Sequence, residues 1–427
     1  MNLNEILGKI TSDTEHSKEL FNALPVKSPC FSLRDVDGSC FCWAKNFYVS
    51  SKYDIMWWMK TYKYKLSHQS NTIQLGNLLD DLHQVHVHVI RLQRRYYRLF
   101  GKYISAYTMN AHIVKLKKRT KPHWKQLPSQ VVQDVVFRID KGYQKFFQNI
   151  KDRQAGKTAR KVGRPHIKPR HKYSSMTFTQ AGYKIENNRI YIGCLKKWFT
   201  FWKHRDWASE IKTATIKRDY VGDYHLILAC DNSEPSENLP LTGNRVGVDF
   251  GLKTFLTLSD GIKIKSPEFY KKSLNAIRSA HKALSRKQYL SHGWYKAKHH
   301  LCRVYKKTAD QRRDWFFKLA LRLVHKYDHI AIESLNLDAM KRLWGRKVSD
   351  YAFGEFALIL NWTCNKYGKV LVKAGKWQPT TKSCHHCGYR NPDMQLTDRY
   401  WTCQACHTHH DRDINAAINI LQAGVPA

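Results

Sequence analysis

The sequence predicts a multidomain α/β protein, and three observations carry that expectation. Its 427 residues exceed one ordinary domain and suit two or three. From Arg245 onward, short β-branched runs alternate with long amphipathic stretches, the pattern of an α/β layer domain. Residues 176–230 instead read as strands in succession, joined by polar turns.

Taken in order, residues 1–60 hold seven Lys/Arg and seven Asp/Glu, so the whole formal charge of +39 belongs to residues 61–427. That shift marks a first boundary. The segment before it is rich in aromatics (Trp43, Phe47, Tyr48, Tyr53, Trp57, Trp58), which favours folding or docking. Residues 91–125 carry eleven Lys/Arg and no acid, and Arg91, Arg94, Arg95 and Arg98 fall at helical spacing. Apolar residues recur through Val131, Val135, Val136, Ile139, Tyr143, Phe146 and Phe147, so this region reads as helices with a basic flank. Residues 151–172 hold nine Lys/Arg, one acid, two Gly and two Pro, the composition of a basic linker.

The strands of 176–230 alternate and turn at Asn-Asn and Gly-Asp, which suits a small β-barrel or sheet. Residues 231–244 are polar with two prolines, a second linker. Beyond it, RVGVDF and TFLTLSDG are strands, 268–327 is a long helical stretch, HIAIES is a buried strand, and DINAAINILQAG is a closing helix.

A surface this positive repels itself and calls for a polyanion, which makes nucleic acid the first candidate partner. Interleaved Trp, Tyr and Phe suit base stacking. The opening residues lack the apolar run of a secretory signal, and no stretch of about 18 apolar residues spans a membrane. Of eleven cysteines, seven are scattered and four form two close pairs, which favours a reducing compartment with one metal site over a disulfide framework. Cys384, Cys387, Cys403 and Cys406 form C-x₂-C-x₁₅-C-x₂-C, the spacing of a structural zinc site. Gly388 follows the first pair, where such a turn often needs a positive φ.

Three acids stand at functional positions. Asp249 ends RVGVDF, Glu333 ends HIAIES, and Asp413 opens the last helix with Asp411 two residues before it. Strand ends and helix starts at one edge of an α/β sheet line its crevice. Carboxylates converging there would hold two Mg²⁺ ions roughly 4 Å apart for phosphodiester hydrolysis. Each acid also has a plain structural role open to it. Asp413 suits an N-cap, Glu333 a surface ion pair, and Asp249 a turn before Gly251. His83, His86 and His88 read as helix decoration rather than metal ligands.

GVDFGLKTFLTLSDG (247–261), IAIESLNLDAM (330–340) and TTKSCHHCG…WTCQACHTHHDRDINAAINI (380–420), in that order, resemble the TnpB family. That family is encoded by insertion sequences and related to type V CRISPR effectors. A weaker likeness begins near Tyr62 and includes KYSSMTFT. The resemblance implies a RuvC-like nuclease domain of RNase H type over 241–427, with a zinc ribbon at 380–410. It implies a wedge and helical recognition domain starting in 61–165, a β-barrel wedge in 166–240, and an extension of unknown role at 1–60.

It matches Asp249, Glu333 and Asp413 to catalytic Mg²⁺ ligands and the four cysteines to one Zn²⁺. The implied activity is RNA-guided cleavage of double-stranded DNA beside a short flanking motif, by a cytoplasmic, nucleoid-associated monomer. A cleavage-deficient RNA-guided repressor and a transposition accessory protein are the alternatives. The intact triad argues against the first, and the lack of a Tyr flanked by a His-hydrophobic-His strand argues against a covalent transposase.

Overall fold

The computed structural model describes residues 59–67, 72–207, 209–231, 238–334, 345, 350–375, 380–395 and 398–424. The aromatic cluster expected before residue 59, the linker core at 232–237 and the end of IAIESLNLDAM lie outside those residues. Strand β1 (Met59–Lys65) opens the chain and pairs antiparallel with β7 (Tyr224–Asp231). Three helices follow: α1 (Thr72–Phe100), α2 (Ala106–Arg119) and α3 (Ser129–Gln154). Leu75, Leu78, Leu79, Leu82, Val85 and Val89 recur along one side of α1 and are buried, and Val131, Val135, Val136 and Ile139 are buried on α3.

The three histidines of α1 turn inward rather than out. His88 stacks on His112 of α2 with Nε2 atoms 3.1 Å apart, and burial holds its ring down to about 4. His86 is 7% exposed and packs against Tyr173, and His83 bonds the Lys168 carbonyl. Arg94 is half-buried with its guanidinium on the Pro165 carbonyl, so it departs from the exposed face of Arg91, Arg95 and Arg98.

The succession of strands forms two antiparallel sheets. One runs β1-β7-β6-β2, with β6 at Ile211–Arg218 and β2 at Ser175–Phe178. The other is a meander of β3 (Tyr183–Glu186), β4 (Arg189–Ile192) and β5 (Lys197–Thr200). Backbone bonds from Ser67 N to Thr200 O (2.8 Å) and from Trp202 N to Lys65 O (2.8 Å) join β1 to β5. The Asn-Asn turn falls between β3 and β4, with Asn187 at φ 51°.

The second layer holds five strands in the order β10-β9-β8-β11-β12. These are β8 (Arg245–Phe250), β9 (Leu256–Leu258), β10 (Lys263–Ile264), β11 (His329–Ile332) and β12 (Val370–Lys373). The first three form an antiparallel meander, and β11 and β12 run parallel to β8. The long helical stretch between β10 and β11 is a hairpin, not one rod: α4 (Phe269–Ser285) and α5 (His292–Lys326) pack together. The break falls where Ser291 Oγ accepts from Trp294 N at 3.1 Å and starts the second helix.

Helices α5 and α6 (Phe353–Lys366) cover one face of the sheet. Phe316, Leu319, Leu323, Phe353, Phe356 and Leu360 bury Val246, Val248 and Phe250 there. Helix α7 (Arg412–Gly424) covers the other face, after the small ribbon of β13 (Tyr400–Thr402) and β14 (His409–Asp411).

Candidate active site and cysteine module

The site follows from a pattern shared by β8 and β11. Alternation along β8 sends Val246, Val248 and Phe250 into the core, so Gly247 and Asp249 point the other way, toward α7. Along β11, Ile330 and Ile332 enter that same core while Ala331 packs with Ile420 of α7. The parallel register sets Ala331 beside Gly247 and Ile332 beside Val248. Glu333 and Asp249, one step further, therefore leave the sheet side by side on the α7 face.

In both strands a small residue precedes the acid, and the small residue has a steric cause. A Cβ on Gly247 would lie 1.9 Å from the Ala417 carbonyl oxygen and 2.7 Å from Leu421 N. A Cβ on Gly424 would lie 2.7 Å from that of Ala331. The helix backbone rests directly on the strands, and its first turn arrives at their carboxyl ends.

That turn presents Asp413. Its Oδ2 accepts from Arg399 Nη1 at 2.8 Å, and its Oδ1 from Arg412 Nη2 at 3.3 Å. The N-cap role belongs to Asp411 instead. Asp411 Oδ1 accepts from Asp413 N at 3.0 Å and Ile414 N at 3.2 Å, and its Oδ2 binds Lys263 Nζ at 2.6 Å. Glu333 Oε1 accepts from the Phe250 amide at 3.4 Å.

Burial raises the Asp249 carboxyl well above the usual range, and the nearby charges of Glu333 and Asp413 push it further. Burial lifts Glu333 to about 7. Burial also acts on Asp411, but the Lys263 bond and the helix amides hold that group below the ordinary carboxylate value. Asp249 and Glu333 are half-buried acids whose charged forms are disfavoured, beside a third acid held by Arg399 and Arg412, and carboxylate oxygens of this kind suit a hard cation.

Among the described residues, the four cysteines are the group whose ligand atoms all lie within 4.8 Å of one another; the three carboxylates are near but do not converge that closely. Cys384 Sγ sits 3.6 Å from Cys406 Sγ, and Cys387 Sγ 3.5 Å from Cys403 Sγ. Each pair lies on a matching turn: Gly388 N donates to the Cys384 carbonyl and His407 N to the Cys403 carbonyl, both at 2.9 Å. Gly388 has the positive φ its place required, 76°, and His407 takes the same position at 57°. The four sulfurs fit a tetrahedral ion. Of the neighbouring histidines, His410 is buried against Trp401 with Nε2 3.1 Å from Cys384 Sγ, a contact to a ligand atom rather than a fifth member of the four.

Two residues that the motifs do not single out tie this ribbon to the acids. Asn415 donates to the Ser383 carbonyl at 2.7 Å and accepts from His385 N at 2.9 Å. Asn419, one turn on, donates to the Thr380 and Ser383 carbonyls at 2.7 Å each. Their signal in the sequence is a polar stripe of Asn415, Asn419 and Gln422 at helical spacing on a helix otherwise rich in Ala, Ile and Leu.

Known proteins share both the motifs and the fold. A family model described as a probable transposase matches residues 228–343, and a Cas12f1-like TNB domain model matches residues 353–420. A putative RNA-guided DNA endonuclease of Streptomyces pristinaespiralis is 35% identical over 52% of this chain and 54% of its own length. One from Escherichia coli K12 is 25% identical over 76% of this chain and 82% of its own. A TnpB-like protein of Acanthamoeba polyphaga mimivirus is 28% identical over 50% of this chain and 44% of its own.

The chain thus spans about half the length of the Streptomyces and mimivirus relatives. These matches bear out the resemblance read from the motifs. In fold, the chain is similar to Cas12f1 from a complex with guide RNA and target DNA (TM-score 0.51, 13% identity, 83% of each chain). It is also similar to the mini RNA-guided endonuclease Cas-phi3 (TM-score 0.53, 9% identity, 96% of this chain and 99% of the other). Both likenesses support a multidomain α/β fold. Among the described residues no helix is long and apolar enough to cross a membrane.

Proposed function

From the kinship of this chain with the TnpB family, we propose that it is an RNA-guided DNA endonuclease whose RuvC-like site is formed by Asp249, Glu333 and Asp413. The observation that carries this reading is the shared pattern of β8 and β11, in which a small residue seats α7 and the next residue on that face is an acid. The sheet order supports it, since a meander of three antiparallel strands flanked by two parallel ones is the arrangement an RNase H-type domain requires. The bridged sheets of β1–β7 support a barrel wedge, and α1–α3 a recognition domain. The partners are a guide RNA and matched double-stranded DNA, with sequence read by pairing and the protein holding backbones.

Asp249, Glu333 and Asp413 would hold two Mg²⁺ ions, and Cys384, Cys387, Cys403 and Cys406 one Zn²⁺. The chemistry supplied by bound Mg²⁺ is activation of water and stabilisation of the leaving oxygen. The chain's own part is to fix the oxygens. Asp249 and Glu333 are held by adjacent parallel strands, and Asp413 by a helix locked through Asp411, Asn415 and Asn419. Arg399 and Arg412 balance Asp413 and place two guanidiniums beside the acids, where phosphate oxygens need partners.

Cleavage of a guide-matched plasmid tests the reading. Alanine at Asp249, Glu333 or Asp413 should each abolish cutting while guide and target binding persist. Asp411→Ala should keep substantial activity. Calcium should support binding without cutting, because its looser shell orients water poorly. Normal cutting by all three triad variants would overturn the nuclease assignment.

A further inference from the structure

Residues 157–172 carry seven Lys/Arg and no acid. They form no helix or strand before a short turn at Arg170–Lys172, which is why their composition reads as a linker. Their backbone is nonetheless anchored along its length. The Asn149 amide on α3 grips it twice, donating to the Arg160 carbonyl at 2.9 Å and accepting from Val162 N at 2.8 Å. Arg94 Nη2 on α1 donates to the Pro165 carbonyl at 3.0 Å. His83 Nε2 lies 2.8 Å from the Lys168 carbonyl, which fixes that nitrogen as the donor.

Arg170 closes the end with a two-pronged bond to Asp80, at 2.9 and 2.6 Å. Gly142 of α3 leaves room for the Pro165 ring, since a Cβ there would lie 3.0 Å from Pro165 Cγ. Val162, Pro165 and Ile167 are half-buried, whereas Lys157, Lys161, Arg164, Lys168 and Lys172 are exposed. Lys161 and Arg164 make no ion pair or hydrogen bond among the described residues.

We propose that this strap is a preorganised track for the phosphate backbone of the guide RNA. Three of its carbonyls and one of its amides are engaged by side chains of α1 and α3, so the cations stand on a backbone already ordered. A flexible linker of equal charge would lose conformational freedom on binding, and the anchored strap avoids much of that cost. With no acid among them, these cations favour a polyanion and read no base.

The strap lies on α1 and α3, which pack with β2 rather than with the sheet bearing the carboxylates. Exposed Arg91, Arg95 and Arg98 extend the positive surface of α1. A guide held throughout the reaction suits that unit better than the DNA strand that must reach Asp249. The inference rests on the functional reading above and adds to it a specific surface.

The test uses full-length protein and the RNA that co-purifies with it, sequenced, synthesised and rebound over a salt series. K161A/R164A should weaken binding about tenfold or more near physiological salt. It should also flatten the log–log salt slope by up to about 0.7–0.9 for each phosphate that is no longer neutralised. N149A removes no charge. It should weaken binding severalfold with the slope nearly unchanged, because it releases the strap without discharging it.

Thermal melting of each variant guards against simple unfolding, and a wild-type Tm with these binding changes supports the proposal. If K161A/R164A binds the RNA with wild-type affinity and slope, the strap assignment fails while the nuclease reading stands. If its only defect lies in capture of matched DNA by the RNA-loaded protein, the assignment to guide RNA fails. A wild-type protein that binds no RNA at all removes the functional reading and this inference together.

Discussion

Asp411 and Asp413 stand two residues apart at the start of α7, yet only Asp411 turns its carboxylate to the helix amides. A capping Asp satisfies orphan N–H groups and favours the positive end of the helix, so Asp411 accounts for the start of α7 by itself. Asp413 is left with two arginines and the neighbourhood of Asp249. The same logic separates stability from activity at Asp249. Its charged form is disfavoured by burial and by two neighbouring acids, so a neutral side chain of equal shape should relieve the fold. Asp249→Asn is expected to abolish cleavage yet raise the Tm of chelator-treated protein by a few degrees, equivalent to about 1 kcal/mol or more. Melting curves with EDTA and with Mg²⁺ check this: Mg²⁺ should stabilise the wild type and leave the Asn variant nearly unmoved. A lower Tm for the variant without metal would mean that Asp249 is a structural residue.

Helix α7 and the cysteine ribbon act as one element, because Asn415 and Asn419 bind the ribbon's first loop while Gly247 and Gly424 let the helix meet the sheet. Gly247→Ala should therefore cost about 3 kcal/mol and most of the activity, since the new methyl meets helix backbone and neither partner can yield cheaply. Gly293→Ala is the control; a Cβ there meets nothing closer than Lys287 Cδ at 3.6 Å, so stability should hold or rise. Cys403→Ser tests the other end of the unit. Metal analysis should find about one zinc per wild-type chain and a clear loss in the variant, with cleavage falling because Asp413 lies ten residues on.

Much of this element is legible in the chain. The cysteine spacing, the acid at each strand end and the glycine after the first cysteine pair are local signals with local causes. The amide clamp is not, because Asn on a helix reads as a solvent-facing residue until its distant carbonyl partners are known. The strap reads as a linker for a related reason. Gly, Pro and charge describe its own conformational freedom, while its anchors Asn149, Arg94, His83 and Asp80 come from helices earlier in the chain. The inward turn of His86 and His88 is likewise set by packing against Tyr173 and His112.

At the scale of the described molecule, the strand-rich region and the five-stranded α/β layer meet through charge as well as packing. Lys306 of α5 inserts its ammonium between Asp219 and Asp223 in the turn joining β6 to β7, at 2.7 and 3.0 Å. Lys65 of β1 binds the same Asp223 at 3.0 Å. Gly222 lies in this turn with φ 94°, and a Cβ there would come within 3.2 Å of His299 on α5. The three inserted charges are 12–25% exposed, so they are shielded from water without being fully dry. Removing the ammonium strands two carboxylates together, and Lys306→Met should lower stability by about 1–3 kcal/mol. Adding Asp219→Asn and Asp223→Asn should recover part of that loss, the mark of a coupled group rather than of independent sites.

The pH dependence has a definite sign. Burial pushes the Asp223 carboxyl up, but its bonds to Lys65 and Lys306 outweigh that and hold it well below the ordinary range. A carboxylate depressed in the folded state stabilises the fold above its unfolded value, near 4, and loses that contribution as pH falls toward its folded value. The Tm difference between wild type and Lys306→Met should thus be full from about pH 5 to 7 and shrink below about pH 4. A difference that stays constant to pH 3 would show that Lys306 supports the junction by packing alone.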